Sequence, residues 1–509
     1  MPPEQLEALK QLAATNHWAA LAPEIGLGVV ALALLALELL LPKRTLAVAV
    51  PRVALLGFAG ALAWVIRDWN TAFLGQEIFG GLVRQTTDSQ IMRVFFLIAS
   101  ALVGFIAAVV LPRNKAPRVE FYHMLLVATG ALMLLPQSNH FVLLFVALET
   151  VTVSFFILVA FFRTSVFSLE AGLKYLVMGS LSSALLLFGI VLLYGAAGNP
   201  LLAGHTAEAM NFSALGNFLW QNPNHPLALV GAALVLSGLA FKIGAVPFQI
   251  WVPDVYQGAP TPVTAFLAVS SKAAGFALLL VLVRGPFLPL VHITIPLLST
   301  FAALSLLFGN LAALGQRNVK RLMGLSGVSH AGFLLVGVVA TIAREDAVAW
   351  APAAVYFYLF TYLLGAMATF GVMAHVSVAA DDADQDFRHY AGLARRSPLL
   401  GAVLACGVGS LAGIPPLAGF IGKLMIFIAA FHAHQWTLLA VAIVAVVISI
   451  YYYFGWVRAA FYDQSTEADR NVAPIQLGVI AGATLVALAL AAVLLGLYQG
   501  PFGQWLASR

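Results

Sequence analysis

The sequence predicts an all-α, polytopic membrane protein with about fourteen transmembrane helices. Three observations carry that prediction. Of 509 residues, 61% are hydrophobic and only 9% charged, against about 25% charged in an ordinary soluble domain. The apolar excess runs along the whole chain, in segments of about 20 residues, the length that crosses a hydrocarbon core. The basic residues gather in short loops between those segments. A net charge of +5 therefore does not describe a nucleic-acid-binding face.

In chain order the segments are 20–41, 46–66, 91–111, 119–136, 140–162, 170–195, 227–251, 260–283, 289–314, 322–342, 348–378, 398–431, 435–461 and 474–498. The polar, partly acidic start MPPEQLEALK runs into a full-length first span, so no cleavable signal peptide is expected. An even number of spans places both termini on one side. Loops on one side carry 15 Lys and Arg, among them Lys43, Arg113, Lys320, Arg321 and Arg470; those on the other carry 7, among them Arg84, Arg93, Arg344 and Arg509. The richer side is expected to be cytoplasmic and both termini outside. The loop 196–226, rich in Gly, Asn, Pro and His, is expected to pack on the outer face. The acidic run DDADQDF at 381–387 reads as a solvated connector.

Two spans break the pattern. Pro247 interrupts the seventh, and the pair Pro415–Pro416 interrupts the over-long twelfth. Proline frees backbone groups that must be satisfied elsewhere inside the membrane. The two interrupted spans lie five apart and run in opposite directions. They imply inverted five-helix repeats: 119–284 (spans 4–8) and 285–461 (spans 9–13), preceded by spans 1–3 in 1–118 and followed by span 14 in 462–509.

Charges inside the spans point to an ion pathway, because a cation in the hydrocarbon layer costs several kcal/mol. Of 26 Lys and Arg, four remain once the 15 and 7 assigned to the two faces are set aside, and all four fall within spans: Lys174, Lys242, Lys272 and Lys423. Glu149 sits about nine residues from either polar end of its span, roughly 14 Å deep. Lys242 and Lys272 are its candidate partners, and a lysine beside a movable charge can take up or release a proton. Lys174 lies four residues after Glu170, near the end of its span, where a local ion pair explains it as well as a functional role does. His330 reads equally as a titratable step between the halves and as a hydrogen-bonded core residue. Glu24 and Glu38 read as interfacial or interhelical contacts.

Other functional classes find no support. Cys406 is the only cysteine, which excludes an internal disulfide and an iron–sulfur cluster held by this chain alone. The eleven histidines form no metal-ligand cluster, and His432 and His434 make only a lone H-x-H. No nucleotide loop or nucleophile constellation is present.

Several stretches carry a family resemblance: FKIGAVPFQIWVPDVYQGAPTPVTAFLAVSSKAAGFA, EAGLKYLVMGSLSSALLLFG, NVKRLMGLSGVSHAG, AGLARRSPLL, SLAGIPPLAGFIGKL and the opening PEIGLG. Together they cover most of 120–430. The chain resembles the antiporter-like membrane subunits of bacterial proton-pumping NADH–quinone oxidoreductase (respiratory complex I). The lysine in GFIGK matches the N type, where the M type carries glutamate. The lateral C-terminal helix of the L type is not expected, because the chain stops at Arg509. The resemblance implies fourteen helices, two inverted repeats and broken helices 7 and 12. It assigns proton translocation to Glu149, Lys242, Lys272 and Lys423, with Lys174 at the family's lysine of span six. Around Glu149 the chain reads A-L-E-T where the family reads closer to G-L-E-L. The resemblance also implies that this chain binds no cofactor itself, with NADH, FMN, iron–sulfur clusters and quinone held by partner subunits. Its partners would be other membrane subunits, antiporter-like paralogues among them, and the lipid of a bacterial inner membrane. Two rival functions stay open on sequence alone: a subunit of a multi-subunit cation/proton antiporter or membrane-bound hydrogenase, and a structural scaffold without a proton path. A solute carrier is a distant third.

Overall fold

The computed structural model describes residues 7, 10, 13–70, 73–343, 350–377, 382–462, 475 and 477–507. Among them, thirteen helices are long and apolar enough to cross a membrane. They are α1 (Ala22–Leu40), α2 (Lys43–Arg67), α3 (Thr87–Arg113), α4 (Arg118–Leu134), α5 (Phe141–Val159), α6 (Val166–Ala197), α7a (Pro226–Ile243), α8 (Thr261–Arg284, with a π-helical turn at Leu267–Ser271), α9 (Val291–Leu314), α10 (Val319–Ile342), α11 (Ala351–Val376), α13 (Trp436–Phe461) and α14 (Val479–Leu497). A fourteenth span is split into α12a (Pro398–Ala412) and α12b (Ala418–His432). The seventh is likewise split, its second part being α7b (Val252–Gly258). The fourteen expected spans are therefore present, although part of the last expected segment lies outside the described residues.

The breaks have the same local cause. Each first half ends on a left-handed glycine, Gly244 (φ 69°) and Gly413 (φ 83°), a conformation that carries no steric cost for glycine. A proline follows three residues later, Pro247 and Pro416, and cannot donate to a continuing helix. GAVP and GIPP are thus one device used twice, in half-helices that run in opposite directions.

A two-stranded hairpin, β1 (Glu77–Ile78) and β2 (Val83–Arg84), marks one face of the bundle. Val83 bridges to Ser138, and the Phe79 amide donates to the Thr15 carbonyl. Trp69 and Trp505 pack together, tilted by 38° with centroids 5.3 Å apart. The first and last described segments therefore lie on this hairpin face, as an even number of crossings requires. The 198–225 segment joins the same face through the His140–Asn211 bridge and a short helix, Phe212–Gln221. The basic loops around Lys43, Lys115, Arg163, Arg317 and Arg395 lie on the opposite, basic face.

Depth within the bundle follows composition. Helices α8, α10 and α11 have 94%, 94% and 89% of their apolar windows buried, whereas α2 and α14 have 28% and 22%. A helix that is apolar all round belongs in the middle, and these three hold the middle here.

Three expectations need correction. Arg93 does not belong to a loop. It lies 2% exposed inside α3, with a bidentate pair to Glu24 at 2.8 and 2.7 Å, and Gln137 donates to the same carboxylate at 2.8 Å. Lys320 is not a loop charge either: its side chain is completely buried at the start of α10, so it joins Lys242, Lys272 and Lys423 as a buried lysine. The 381–387 run is no solvated connector. Asp382 and Gln385 are buried because they fold back under α8 and α10, while residue 381 lies outside the described residues.

Candidate functional site

The central helices bring most of the expected residues onto one line. Glu149 is at the middle of α5 and partly open on the flank formed with α6, where the Ser183 hydroxyl donates to its Oε1 at 2.6 Å. Lys242 lies in the last turn of α7a and is 6% exposed. Its Nζ donates to Thr152 Oγ1 at 2.6 Å, and Thr152 in turn donates to the Leu148 carbonyl at 2.7 Å. The two residues have separate partners instead of a direct Glu149–Lys242 ion pair: Glu149 bonds Ser183, and Lys242 bonds Thr152, which stands three residues after Glu149 on the same face of α5.

Lys272 follows the π turn of α8 and is 4% exposed. Its Nζ donates to the Gly327 carbonyl of α10 in a short contact and lies 5.4 Å from the Tyr362 ring. A Cβ at Gly327 would come 2.9 Å from this ammonium, so a side chain there would displace the lysine tip from its present position. Lys242 and Lys272 also line one narrow gap, with Trp251, Val252, Tyr256, Leu267 and Val328, that is too tight for a water molecule.

His330 is 5% exposed, three residues beyond Gly327 on α10. Its Nδ1 meets the Tyr358 hydroxyl at 2.7 Å and its Nε2 meets the Tyr453 hydroxyl at 3.2 Å. The Tyr362 ring packs against it at a tilt of 52°, with centroids 4.8 Å apart. A neutral imidazole donates from one nitrogen and accepts at the other, so this ring joins two hydroxyls. The geometry shows His330 as a hydrogen-bonded core residue, with its two hydroxyl partners on α11 and α13.

Lys423, on α12b, is 4% exposed. Its Nζ donates to the Ala412 carbonyl at 2.8 Å and lies 4.9 Å from the Phe333 ring. Ala412 is the last residue of α12a, so the ammonium closes the break from the far side. Lys242 and Lys423 therefore each sit at the C-terminal, electronegative end of a half-helix, one preceding its break and the other following it.

Lys174 stands apart from this line. It is 43% exposed near the basic face and pairs with Glu170 at 2.7 Å and Asp254 of α7b at 2.6 Å. Sequence reasoning missed Thr152, Ser183, Tyr358, Tyr362 and Tyr453. The available signal was spacing: Thr152 lies one turn from Glu149, and YFYLFTY on α11 puts tyrosines inside a span instead of at its ends. Among the described residues no three His, Cys, Asp or Glu converge at metal-binding distance. The chemistry on offer is proton binding and transfer.

A family profile described as NADH:quinone oxidoreductase/Mrp antiporter, transmembrane, matches residues 138–449. NADH-quinone oxidoreductase subunit N 1 of Opitutus terrae is 59% identical over 99% of this chain and 100% of its own length. The chain belongs to the NADH–quinone oxidoreductase subunit N family. Subunit N of Desulforamulus reducens is 36% identical over 96% of this chain and 97% of its own. Among solved structures, a chain of Thermus thermophilus respiratory complex I with bound aureothin shares 32% identity and a TM-score of 0.78, covering 96% of this chain and 99% of that one. A chain of the Mrp complex from a Dietzia species gives a TM-score of 0.78 at 19% identity, covering 96% of each, which shows the shared fold alone. The profile runs from the start of α5 into α13 and includes Glu149, Lys242, Lys272, His330 and Lys423, whereas Tyr453 lies beyond its end.

Proposed function

We propose that this chain is a proton-translocating membrane subunit of a bacterial NADH–quinone oxidoreductase. Quinone reduction in partner subunits drives it by shifting charge at the Glu149–Lys242 pair, with the Thr152 hydroxyl holding the Lys242 ammonium. The proton then passes through Lys272 and the Tyr362–His330–Tyr358 cluster to Lys423 and leaves from there. NADH, FMN, iron–sulfur clusters and quinone belong to partner subunits, and other antiporter-like subunits are neighbours in the membrane. In this reading the first repeat, 119–284, and the second, 285–461, each contribute one broken helix and one lysine held at a half-helix end. The basic face is cytoplasmic, the hairpin face with both termini is outside, and Lys174 with Asp254 stands at the inner approach to α7b.

The observation that supports this best is the burial of Lys242, Lys272, His330 and Lys423 along one line, each with a hydroxyl or carbonyl partner. A scaffold has no use for several costly groups so arranged when apolar residues would pack as well. The test is Lys242→Ala in the assembled complex. The expected result is retained NADH oxidation with proton uptake per NADH clearly lowered. Wild-type pumping in the assembled variant would refute the relay.

A further inference from the structure

Helix α10 begins with two consecutive bases that do opposite things to solvent accounting: Lys320 is fully buried, and Arg321 is about one-third exposed. Asn318 caps the helix by accepting from both of their amides, which fixes where the two side chains leave the backbone. Arg321 donates to Asp254 at 2.6 Å and to Gln257 at 2.9 Å, both on α7b. Lys320 donates to the Ala259 carbonyl at 2.5 Å and to the Asp382 carbonyl and Oδ2 at 3.1 and 3.3 Å. Asp382, 4% exposed in its side chain, accepts from the Thr261 amide at 2.6 Å and from the Thr261 hydroxyl at 2.8 Å. Ser377 adds a bond at 2.8 Å. One helix start therefore grips both sides of the corner where α7b turns into α8.

The same two helices, α8 and α10, meet again deeper in the bundle, where Lys272 donates to the Gly327 carbonyl. Gly327 lies seven residues, two turns, along α10 from Lys320. Lys272 lies eleven residues, three turns, along α8 from Thr261. The intervening π turn at Leu267–Ser271 means that α8 does not keep strict α-helical register between the two contacts. The placement of Lys272 against α10 thus depends on where the α8 corner is pinned. A buried ion pair adds little net stability over apolar residues of equal size, and its best-attested use is to fix register.

We propose that Lys320 and Asp382 form a positioning pair that sets the register of α8 on α10 and so holds the Lys272 ammonium at the Gly327 carbonyl. The pair also joins the two repeats, because Thr261 belongs to the first and Asp382 to the connector of the second. This proposal rests on the relay reading above.

The experiment uses the whole assembled complex in vesicles and measures protons taken up per NADH oxidised. The double variant Lys320→Met/Asp382→Leu removes both charges together and leaves neither orphaned. Thr261→Val keeps both charges and cuts the hydroxyl tie from α8. Lys242→Ala is the control. The double variant is expected to oxidise NADH at close to the wild-type rate, with a proton yield lowered at least half as far as in Lys242→Ala. Thr261→Val is expected to lower the yield in the same direction by less, and it decides the matter alone if the double variant does not assemble. A wild-type yield in either assembled variant, with Lys242→Ala defective, overturns the positioning pair and leaves the relay standing. A wild-type yield in Lys242→Ala overturns the relay itself.

Discussion

Thr152→Val is the most discriminating perturbation of the buried line. Valine matches threonine in shape, so packing in α5 is kept and only the hydroxyl is lost. That hydroxyl accepts the 2.6 Å bond from Lys242, and a hydrogen bond to a charged group contributes about 1.5–3 kcal/mol. At about 1.36 kcal/mol per tenfold, the equilibrium constant for holding the proton on Lys242 should fall roughly 10- to 150-fold. The assay is proton uptake by vesicles carrying the assembled complex, normalised to NADH oxidised. Uptake per NADH should drop toward the Lys242→Ala level, while Thr152→Ser, which keeps the hydroxyl, should stay near wild type. If Thr152→Val pumps like wild type while Lys242→Ala does not, the hydroxyl is no part of the route.

Two further outcomes follow from groups away from that line. Arg93→Ala leaves Glu24 buried without its bidentate partner; at about 3–5 kcal/mol for a broken buried pair, the amount of assembled complex should fall on a native gel while the proton yield of what does assemble stays normal. Asp382 lies outside the spans: burial alone would raise its carboxyl, but the Lys320 charge and the bonds from Thr261 and Ser377 outweigh burial and hold it below the usual range. Its stabilising contribution is therefore complete above the unfolded value of about 3.9 and is lost as pH falls further, through the lowered folded value. Hydrogen exchange at residues 259–264 should accelerate only below about pH 4, and an Asp382→Asn complex should lack that step.

The spans and their breaks were legible because both are local. A run of about 20 apolar residues declares itself whatever surrounds it, and a glycine followed by proline three residues later stops a helix in any context. Lys242, Lys272 and Lys423 were legible for the same reason: nothing in their own segments accounts for them. Their partners were not. Thr152 and Ser183 are ordinary helix residues until α7a and α5 are packed, and Tyr358 and Tyr453 meet only through His330. Lys320 misled because the run QRNVKR looks like a loop; its burial is decided by a connector more than 50 residues later that folds beneath it. Arg93 misled in the same way, since Glu24 reaches it from two spans away. Local pattern sets the elements, and tertiary closure decides which polar groups become partners.

The gap between Lys242 and Lys272, walled by Trp251, Leu267 and Val328 and too tight for water, has an electrical meaning. A membrane potential of 100 mV stores about 2.3 kcal/mol per elementary charge, and an unbroken hydrogen-bonded wire across the bilayer would discharge it continuously. On the proposed relay, a gap with no room for a bridging water is an open circuit, insulated in the middle of its own conductor. Conduction along that relay would require the walls to part for long enough to wet the gap, and the aromatic and branched residues around it would set the leak current of the resting complex. By this logic, trimming Trp251 or Val328 to smaller side chains would not break the wire; it would short it.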